Sequence, residues 1–485
     1  MGWVRTLGNR CKCANLPTPF TFNQHMIAGR LYHYFAFLLV LFSANSLHAQ
    51  TLTLEQAIEL TIQHYPTIAA KRAALDAART NAAVMRESRL PNVRLHDQID
   101  LGTANGMSGS YFSLGLIVPT SGARRGVNRM DLASGNIALA SMDWEIYNFG
   151  RYKSEDQLAR TEAVVGESIL EKEKFQLQQL VIGTYLEMLR FGQQLSIEQQ
   201  NIARIDTVRR IITNLVNNGI KAGLDSSLVR VQVSKAQIAY RQVLENYYQA
   251  QIRLATLTGK PVNALKIDTT LRLESSLESL RPADVSTNHP LLKYQESIVR
   301  RQSAEIDVIR KAAMPRVSFL AAASARGSSI NVENKYGPLP AGLVYSRANV
   351  LTGLAITVNL MDFRRVANRI RLQQYRVQEA NFQQASEQLQ LQNISTTADS
   401  VLAVLQHELH DFSSSLRAAS DVYQQRLSRY QNGLDNILGL SESLQLLTSV
   451  EKDYLATQHR SVALLLQKAY VTNDFDSFFK LFKHR

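Results

Sequence analysis

Two long stretches of the chain repeat apolar residues at steps of three, four and seven positions. They cover residues 150–218 and 364–431, and neither contains a proline. This spacing is typical of coiled coils, so each stretch is predicted to be one helix of about 68 residues, roughly 100 Å long. A coiled-coil tube accommodates such helices, whereas a globular domain does not. The apolar positions are Leu195, Ile202, Ile205, Val208, Ile212 and Leu215, then Leu402, Leu405, Leu409, Phe412, Leu416, Tyr423, Leu427 and Tyr430.

An Asn-Gly pair ends each long stretch. The pairs are Asn218-Gly219 and Asn432-Gly433, at equivalent places in two halves of the chain. Glycine adopts the positive φ that a tight turn requires, and a short turn brings the next helix back antiparallel. Returning helices are therefore predicted over residues 224–258 and 438–472.

Proline landmarks also occur in the same order in both halves. Pro66 and Pro91 bracket one helical segment, and Pro290 and Pro315 bracket its counterpart, predicted as a helix over 290–314. Proline is favoured in the first turn of a helix and stops the helix that precedes it. We therefore predict an internal two-fold repeat. The first repeat covers residues 50–282 and the second covers 283–472, and a C-terminal tail follows at 473–485.

Four segments alternate apolar and polar residues with a period of two. The predicted strands lie at about 92–102, 137–147, 316–326 and 351–361. This period places apolar residues on one face and polar residues on the other, which is the pattern of outer-membrane strands. A soluble, half-buried hairpin fits the same pattern. Residues 103–136 and 328–349, with many Gly, Ser and Asn, are predicted to be the loops that join each pair.

The N-terminal residues have the features of a secretory signal. Arg30 precedes an apolar run over 34–42, and a small and polar run ends at Ala49. The apolar run is too short to cross a bilayer as a helix. Residues 1–49 are therefore predicted to be an upstream extension and a cleaved signal peptide, with Met26 as a candidate start.

Composition and charge narrow the remaining classes. Cys11 and Cys13 both precede the signal, so we expect the mature chain to lack disulfides and thiolate sites. The net charge is +13, but the basic residues are scattered singly among acidic and amide residues, which does not indicate nucleic-acid binding. No apolar run of about 18 residues follows the signal, so a membrane could be crossed only by strands.

Four strands are too few to close a membrane barrel, which needs at least about eight. An open sheet edge is not tolerated in lipid. If the strands span a membrane, several chains must share one barrel, and three chains would supply twelve strands. The competing class is a secreted or periplasmic coiled-coil scaffold or adhesin without a pore. A scaffold without a pore does not require four segments that alternate apolar and polar residues. The pattern therefore favours a membrane channel formed by several chains.

Several motifs together resemble the TolC family of outer-membrane efflux proteins. They are "TLTLEQAIELTIQHYP" at 51–66, the two Pro-terminated helices, "NFGR" and "DFRR" before the long helices, the Asn-Gly turns, and "LATLTGKP" at 254–261. The resemblance covers nearly all of residues 51–472. It implies a mostly α fold with a small β part. That fold is a long antiparallel coiled-coil helical barrel in the periplasm, joined to a trimeric twelve-stranded transmembrane β-barrel with four strands from each chain.

The resemblance also implies a function and partners. Family members are homotrimers in the outer membrane of Gram-negative bacteria and serve as exit ducts for efflux pumps and type I secretion. They act with a periplasmic adaptor (membrane fusion) protein and an inner-membrane RND or ABC pump. We therefore expect a passive conduit in contact with outer-membrane lipid, without cofactor, nucleic acid or enzymatic activity.

In that family the helix turns form the periplasmic mouth. The resemblance implies that the adaptor docks at Gly219, Ile220, Gly433 and Leu434. It implies a gate at Asp225, Tyr430, Asp435 and Glu442. Asp435 stands where the family has an arginine, and Gly439 stands where some relatives have an inward-facing acid. We therefore expect weaker ionic locking, or another partner such as Lys221.

Other chemistry is only weakly indicated. His407 and His410 have helical i, i+3 spacing, but on a polar helix such a pair is more often solvated than bound to a metal. The sequence contains no P-loop, dinucleotide fingerprint, nucleophile elbow or HExxH motif. The chain is therefore predicted to be a non-enzyme with no metal site.

Overall fold

The computed structural model describes residues 51–106, 125–219, 223–269 and 285–480. The helices are α1 Leu54–His64, α2 Pro66–Glu87, α3 Arg151–Asn217, α4 Gly223–Thr258, α5 Pro290–Ala312, α6 Asp362–Gln431, α7 Ile437–Thr472 and α8 Phe475–Phe479. The strands are β1 Asn92–Thr103, β2 Leu132–Tyr147, β3 Arg316–Ser328 and β4 Arg347–Thr357. The fold is thus predominantly helical with one small antiparallel sheet. The predicted extension and signal, residues 1–49, lie outside the described residues.

Local sequence explains where the shorter helices begin. Thr53 and Gln56 form a capping box at the start of α1, in which each side chain accepts from the other's backbone N–H. Helices α2 and α5 both begin at a proline. Proline lacks a backbone N–H, and this costs nothing in the first turn of a helix, where an N–H has no intrahelical acceptor. The His289 ring additionally accepts from the N–H of Leu291 at the start of α5.

The long helices lie side by side with pairs of shorter ones. Helix α3 packs against α2, α4, α5 and α7, and α6 packs against α5 and α7. The end of α7 meets the start of α5, where the His289 Nε2–H donates to the carbonyl of Tyr470 at 3.0 Å. The ring of Phe175 from α3 stacks on Tyr470 at this junction. Helices α5 and α7 therefore meet end to end beside α3.

Buried apolar residues form two clusters along this bundle. The larger cluster surrounds the middle of α3, where Val181, Ile182 and Leu189 are completely buried. The smaller one lies near the helix turns and joins α3, α4, α6 and α7; Ile212, Tyr430 and Leu440 are at its centre. Within the described residues, no helix combines the length and hydropathy of a membrane-spanning segment.

The sheet runs in the order β1-β2-β3-β4 with every neighbouring pair antiparallel. Residues that face one another across an antiparallel pair share one face of the sheet. The register therefore places one apolar set together: Val93, Leu95, Ile99, Leu101, Ala138, Ala140, Met142, Trp144, Phe319, Ala321, Ala323, Ala325, Val350, Leu354 and Ile356. We call this the apolar face. The opposite, polar face holds Arg94, His96, Gln98, Asp100, Ser141, Asp143, Glu145, Ser318, Ser324, Arg326, Arg347 and Asn349.

Strand boundaries differ from the sequence prediction in two places. Strand β4 begins and ends four residues before the predicted 351–361, because the chain turns at Asn359, whose carbonyl accepts from the Asp362 N–H at 3.2 Å. Strand β2 begins at Leu132, inside the predicted loop 103–136. Residues 107–124 of that loop lie outside the described residues.

The second predicted loop, 328–349, crosses the apolar face instead of leaving the sheet. It contains a short 3-10 helix, Leu339–Leu343. The side chain of Asn136 donates to the carbonyl of Leu343 at 3.2 Å, and the Tyr345 hydroxyl donates to Asp97 Oδ1 at 2.9 Å. Asp97 is the one acidic residue that the β1 register places on the apolar face, and the crossing segment supplies its partner.

Candidate functional site

The two helix turns have the same backbone geometry. Gly219 has φ of 72° and Gly433 has φ of 73°, both in the left-handed region that favours glycine. The preceding residues match as well, with φ and ψ of −87° and 6° at Asn218 and −88° and 8° at Asn432. Each asparagine N–H donates to the carbonyl four residues earlier. The Asn-Gly pairs thus end α3 and α6 in the same way.

Tyr430 connects the two halves just above these turns. Its side chain is completely buried in the smaller apolar cluster, and its hydroxyl donates to Asp225 Oδ2 at 3.3 Å. Tyr430 belongs to α6 and Asp225 to the first turn of α4. Burial, together with the negative charge of Asp225, raises the pKa of Tyr430 to about 12. The phenol therefore remains a proton donor to this carboxylate at neutral pH.

Asp435 makes its contact within the second half. Its two carboxylate oxygens lie 3.1 and 2.9 Å from Arg426 Nη1, and Oδ1 also accepts from the Asn436 N–H at 2.8 Å. The hydrogen bond from Arg426, and then that from Asn436, lowers the pKa of Asp435 below its usual range. This pair ties the end of α6 to the start of α7.

Gly439 leaves the space that this ion pair occupies. A Cβ at this position would lie 2.7 Å from Arg426 Nη1 and 3.3 Å from Asp435 Oδ1. The Asn436 side chain also accepts from the Gly439 N–H and caps α7. In the sequence, Gly439 was noted only because some relatives have an acidic residue at this position. In the structure, the lack of a side chain at 439 leaves room for the Arg426 guanidinium.

Of the four predicted gate residues, the structure brings only Tyr430 and Asp225 into contact. Asp435 pairs with Arg426, which the sequence analysis did not identify. Glu442 is exposed and forms no ion pair within the part of the chain that the structure describes. At the predicted docking turns, Leu434 is 70% exposed, and Ile220 lies outside the described residues together with the suggested partner Lys221.

A set of polar contacts joins α3 to α7 above the turns. Arg204 makes a bidentate ion pair with Glu451, with N–O distances of 2.8 and 2.6 Å. This hydrogen-bonded pairing raises the pKa of Arg204. Lys452 lies 2.5 Å from the buried Glu198. Because these pairs are largely shielded from water, loss of one partner would leave the other charge unsatisfied.

No group of three or more metal-ligating side chains occurs among residues 51–106, 125–219, 223–269 and 285–480. His407 and His410 are both exposed on α6. The groups near the turns hold helix ends together through hydrogen bonds and ion pairs. This geometry suits a mechanical role in spacing helices.

Comparison with known proteins gives a consistent result. The sequence profile of the outer membrane efflux protein family matches residues 57–260 and 282–463. The pyoverdine export outer membrane protein OpmQ of Pseudomonas aeruginosa is 27% identical over 178 residues, which are 34% of this chain and 36% of OpmQ. The chain thus spans about a third of OpmQ, and 55 to 56% of two further curated relatives.

Solved structures share the fold over most of their length. The outer-membrane channel OprN superposes with a TM-score of 0.70 at 18% identity, over 87% of this chain and 90% of OprN. The outer membrane protein VceC from Vibrio cholerae gives a TM-score of 0.68 at 15% identity, over 86% of this chain and 95% of VceC. At these identities the likeness establishes the fold alone.

Proposed function

Because the chain belongs to the outer membrane efflux protein family, we propose that it forms a homotrimeric outer-membrane channel. In this proposal it is the exit duct of a tripartite efflux or type I secretion system. It would receive substrates from an inner-membrane RND or ABC pump through a periplasmic adaptor protein. The family match confirms the resemblance first seen in the sequence motifs. The trimer, the barrel and the partners are our proposal.

The observation that carries this proposal is the two-sided sheet. Outside the part that residues 339–345 cross, its apolar face is solvent-exposed in the isolated chain: Leu95 is 81% exposed and Val350 80%. Aliphatic side chains on a sheet are normally covered by a second layer or by lipid. The other face holds the charged and amide side chains, together with Ile137, Leu139, Leu320 and Leu351. A face that carries most of the charges is expected in the lumen of a water-filled barrel. This arrangement supports a sheet with lipid on one side and water on the other.

The edges of the chain favour association with further copies. Strands β1 and β4 each have one unpaired edge within the described sheet, and lipid does not tolerate open edges. Helices α4 and α6 also expose apolar residues at spacings of seven positions, interrupted on α4 by Glu245, and this spacing favours helix packing. They are Leu224, Val231, Ile238 and Ile252 on α4, and Tyr375, Phe382 and Leu389 on α6. Pairing β4 with the β1 of the next copy would also bring α6 to its α4, and a ring would close both surfaces.

The helix turns are proposed as the adaptor-facing and gating end. The exposed Leu434 and the glycine turns at 219 and 433 offer an apolar, closely approachable surface to a partner helix hairpin. The Tyr430–Asp225 contact would hold the two halves together in the closed state. Asp435 and Glu442 were predicted to share this role, and the pairing of Asp435 with Arg426 supports a smaller part for it.

The experiment that tests the proposal places one charge on each face of the same strand. We expect Leu95→Arg to abolish the heat-modifiable trimer in the outer-membrane fraction, because a lipid-facing arginine near the bilayer centre costs about 2 to 4 kcal/mol. The matched control is His96→Arg, one residue away on the polar face, which should leave the trimer intact and conducting in planar bilayers.

Two results would contradict the proposal. Equal tolerance of both variants would mean that the apolar face does not contact lipid. A wild-type protein recovered from the soluble periplasmic or secreted fraction, with no conductance steps, would favour a coiled-coil scaffold or adhesin.

A further inference from the structure

Two arginines face one another near the outer end of the sheet, the end distant from the helices. Arg326 of β3 and Arg347 of β4 are direct cross-strand partners, so their side chains lie on the same, polar face. Their row continues through Ile137 on β2 and Gln98 on β1, neither of which is charged. Both arginines are exposed in the isolated chain.

No acidic residue neutralises this pair within the described sheet. The ion pairs of the described residues include neither guanidinium; the one nearest in the chain is Lys335 with Glu333. Asp143 and Glu145 share the polar face but pair with β3 residues near the helix end of the sheet. Asp100 lies on β1, two strands away from Arg326, and accepts a hydrogen bond from Gln98.

Sheet stability does not explain the arrangement. Like charges that are directly opposite in an antiparallel pair destabilise it, because the Cβ atoms are only about 5 Å apart. A solvated lumen reduces this repulsion without removing it. A role outside folding therefore accounts better for two arginines at this position.

We propose that Arg326 and Arg347 form an anion-binding ring near the outer end of the duct. The inference rests on the proposed trimeric barrel, in which three copies would place six guanidinium groups around one level of the lumen. Rings of basic side chains attract anions in pores, and narrow low-dielectric walls strengthen the local field. Guanidinium groups also bind carboxylate and phosphate through paired hydrogen bonds. The ligands are thus small anions and the carboxylate or phosphate groups of exported solutes.

The test measures ion selectivity in planar bilayers containing purified trimers. Reversal potentials in a KCl gradient give the chloride-to-potassium permeability ratio of the wild type and of the double variant Arg326→Gln/Arg347→Gln. Removal of six positive charges should lower this ratio at least about twofold. The double variant Arg326→Lys/Arg347→Lys keeps the charge and should keep most of the ratio.

Lys335→Gln is the matched control for charge near the outer mouth. Lys335 lies in the hairpin around the Ile330–Tyr336 bridge, beyond the sheet, and its charge is already paired with Glu333. It should leave the ratio nearly unchanged. Inorganic phosphate added on the outer side should reduce chloride current in the wild type more than in the glutamine double variant.

The outcomes separate this inference from the proposed function. If conducting glutamine-variant trimers keep the wild-type ratio, or if Lys335→Gln lowers it equally, the anion ring is wrong while the channel stands. If the wild type forms no conducting trimer, the proposed function and the ring fail together. Trimer yield on unheated gels checks assembly, and we expect it to persist because the substitution removes a repulsive pair.

Discussion

The two helix turns have the same backbone geometry but differ in what their acidic residues contact. At the first turn, Asp225 accepts a hydrogen bond from Tyr430, which belongs to the other half of the chain. At the second turn, Asp435 pairs with Arg426 from the same half. The first contact depends on how close α4 and α6 lie, whereas the second depends only on the α6–α7 hairpin.

This difference shows that turns with the same backbone geometry can have different side-chain contacts. A separation of the two hairpins would break the Tyr430–Asp225 hydrogen bond and leave the Arg426–Asp435 ion pair intact. The second hairpin therefore has an internal ionic contact that would let it move as one body. The Tyr430–Asp225 hydrogen bond at the first turn would break when that hairpin moves. Each of the following predictions perturbs one side of this comparison.

The largest effect is expected from the loss of the Tyr430 ring. Tyr430→Ala should lower the free energy of unfolding by about 3 to 5 kcal/mol, the usual cost of deleting a buried aromatic side chain. Tyr423→Ala is the matched control, since Tyr423 is buried in the same cluster on α6 without the Asp225 contact. Thermal unfolding should show similar losses, but only Tyr430→Ala should also increase conductance. Equal conductance changes would refute a special role for the Tyr430 hydroxyl.

Conductance should distinguish the two acidic residues directly. Asp225→Ala removes the carboxylate that accepts the hydrogen bond of the Tyr430 hydroxyl, at a cost of about 1 to 3 kcal/mol to the closed arrangement. Single-channel recordings should therefore show a higher conductance or a larger open fraction. Asp435→Ala should change neither, because the ion pair that it removes, with Arg426, lies within the α6–α7 hairpin. Unchanged recordings for Asp225→Ala would exclude the gating role.

A smaller and local effect is expected at the second turn. Arg426→Gln removes the ion pair with Asp435, so the backbone amides of residues 432–440 should exchange with solvent faster. Residues 223–232, at the start of α4, should exchange as in the wild type. Gly439→Ala is a second route to the same result, because its Cβ would displace the guanidinium. Exchange that rises equally at both turns would show that the hairpins are not independent.

The sequence predicted the helices better than their contacts. Heptad spacing predicted α3 and α6, the prolines at 66 and 290 predicted α2 and α5, and the Asn-Gly turns predicted α4 and α7, because helix limits depend on local chemistry. The Arg426–Asp435 pair was missed because it spans a turn, and Asp435 was assigned by resemblance to a family arginine. The crossing segment at 339–345 was missed because its contacts with β2 and β1 connect residues distant in sequence. The alternating strands predicted the faces, while their register had to come from the structure.

Extremes of pH should disrupt the two turns separately. The Tyr430 pKa, about 12, lies above its ordinary value of 10.0. Its contribution to stability is therefore complete below pH 10 and is lost as pH rises towards 12. The Asp435 pKa is lowered from 3.8, so its contribution is present above pH 3.8 and is lost as pH falls further.

Removal of the Tyr430 hydroxyl alone tests the alkaline half of this comparison. Between pH 10 and 12 the unfolding midpoint of the wild type should fall further than that of Tyr430→Phe, which lacks the ionisable group. Tyr185, whose buried phenol also has a pKa of about 12, is present in both proteins and cancels in the difference. In the same alkaline range, exchange at residues 432–440 should stay slow, because the lowered pKa of Asp435 keeps its carboxylate charged and paired with Arg426. Parallel alkaline curves for wild type and Tyr430→Phe would mean that the hydroxyl contact does not hold the two halves together.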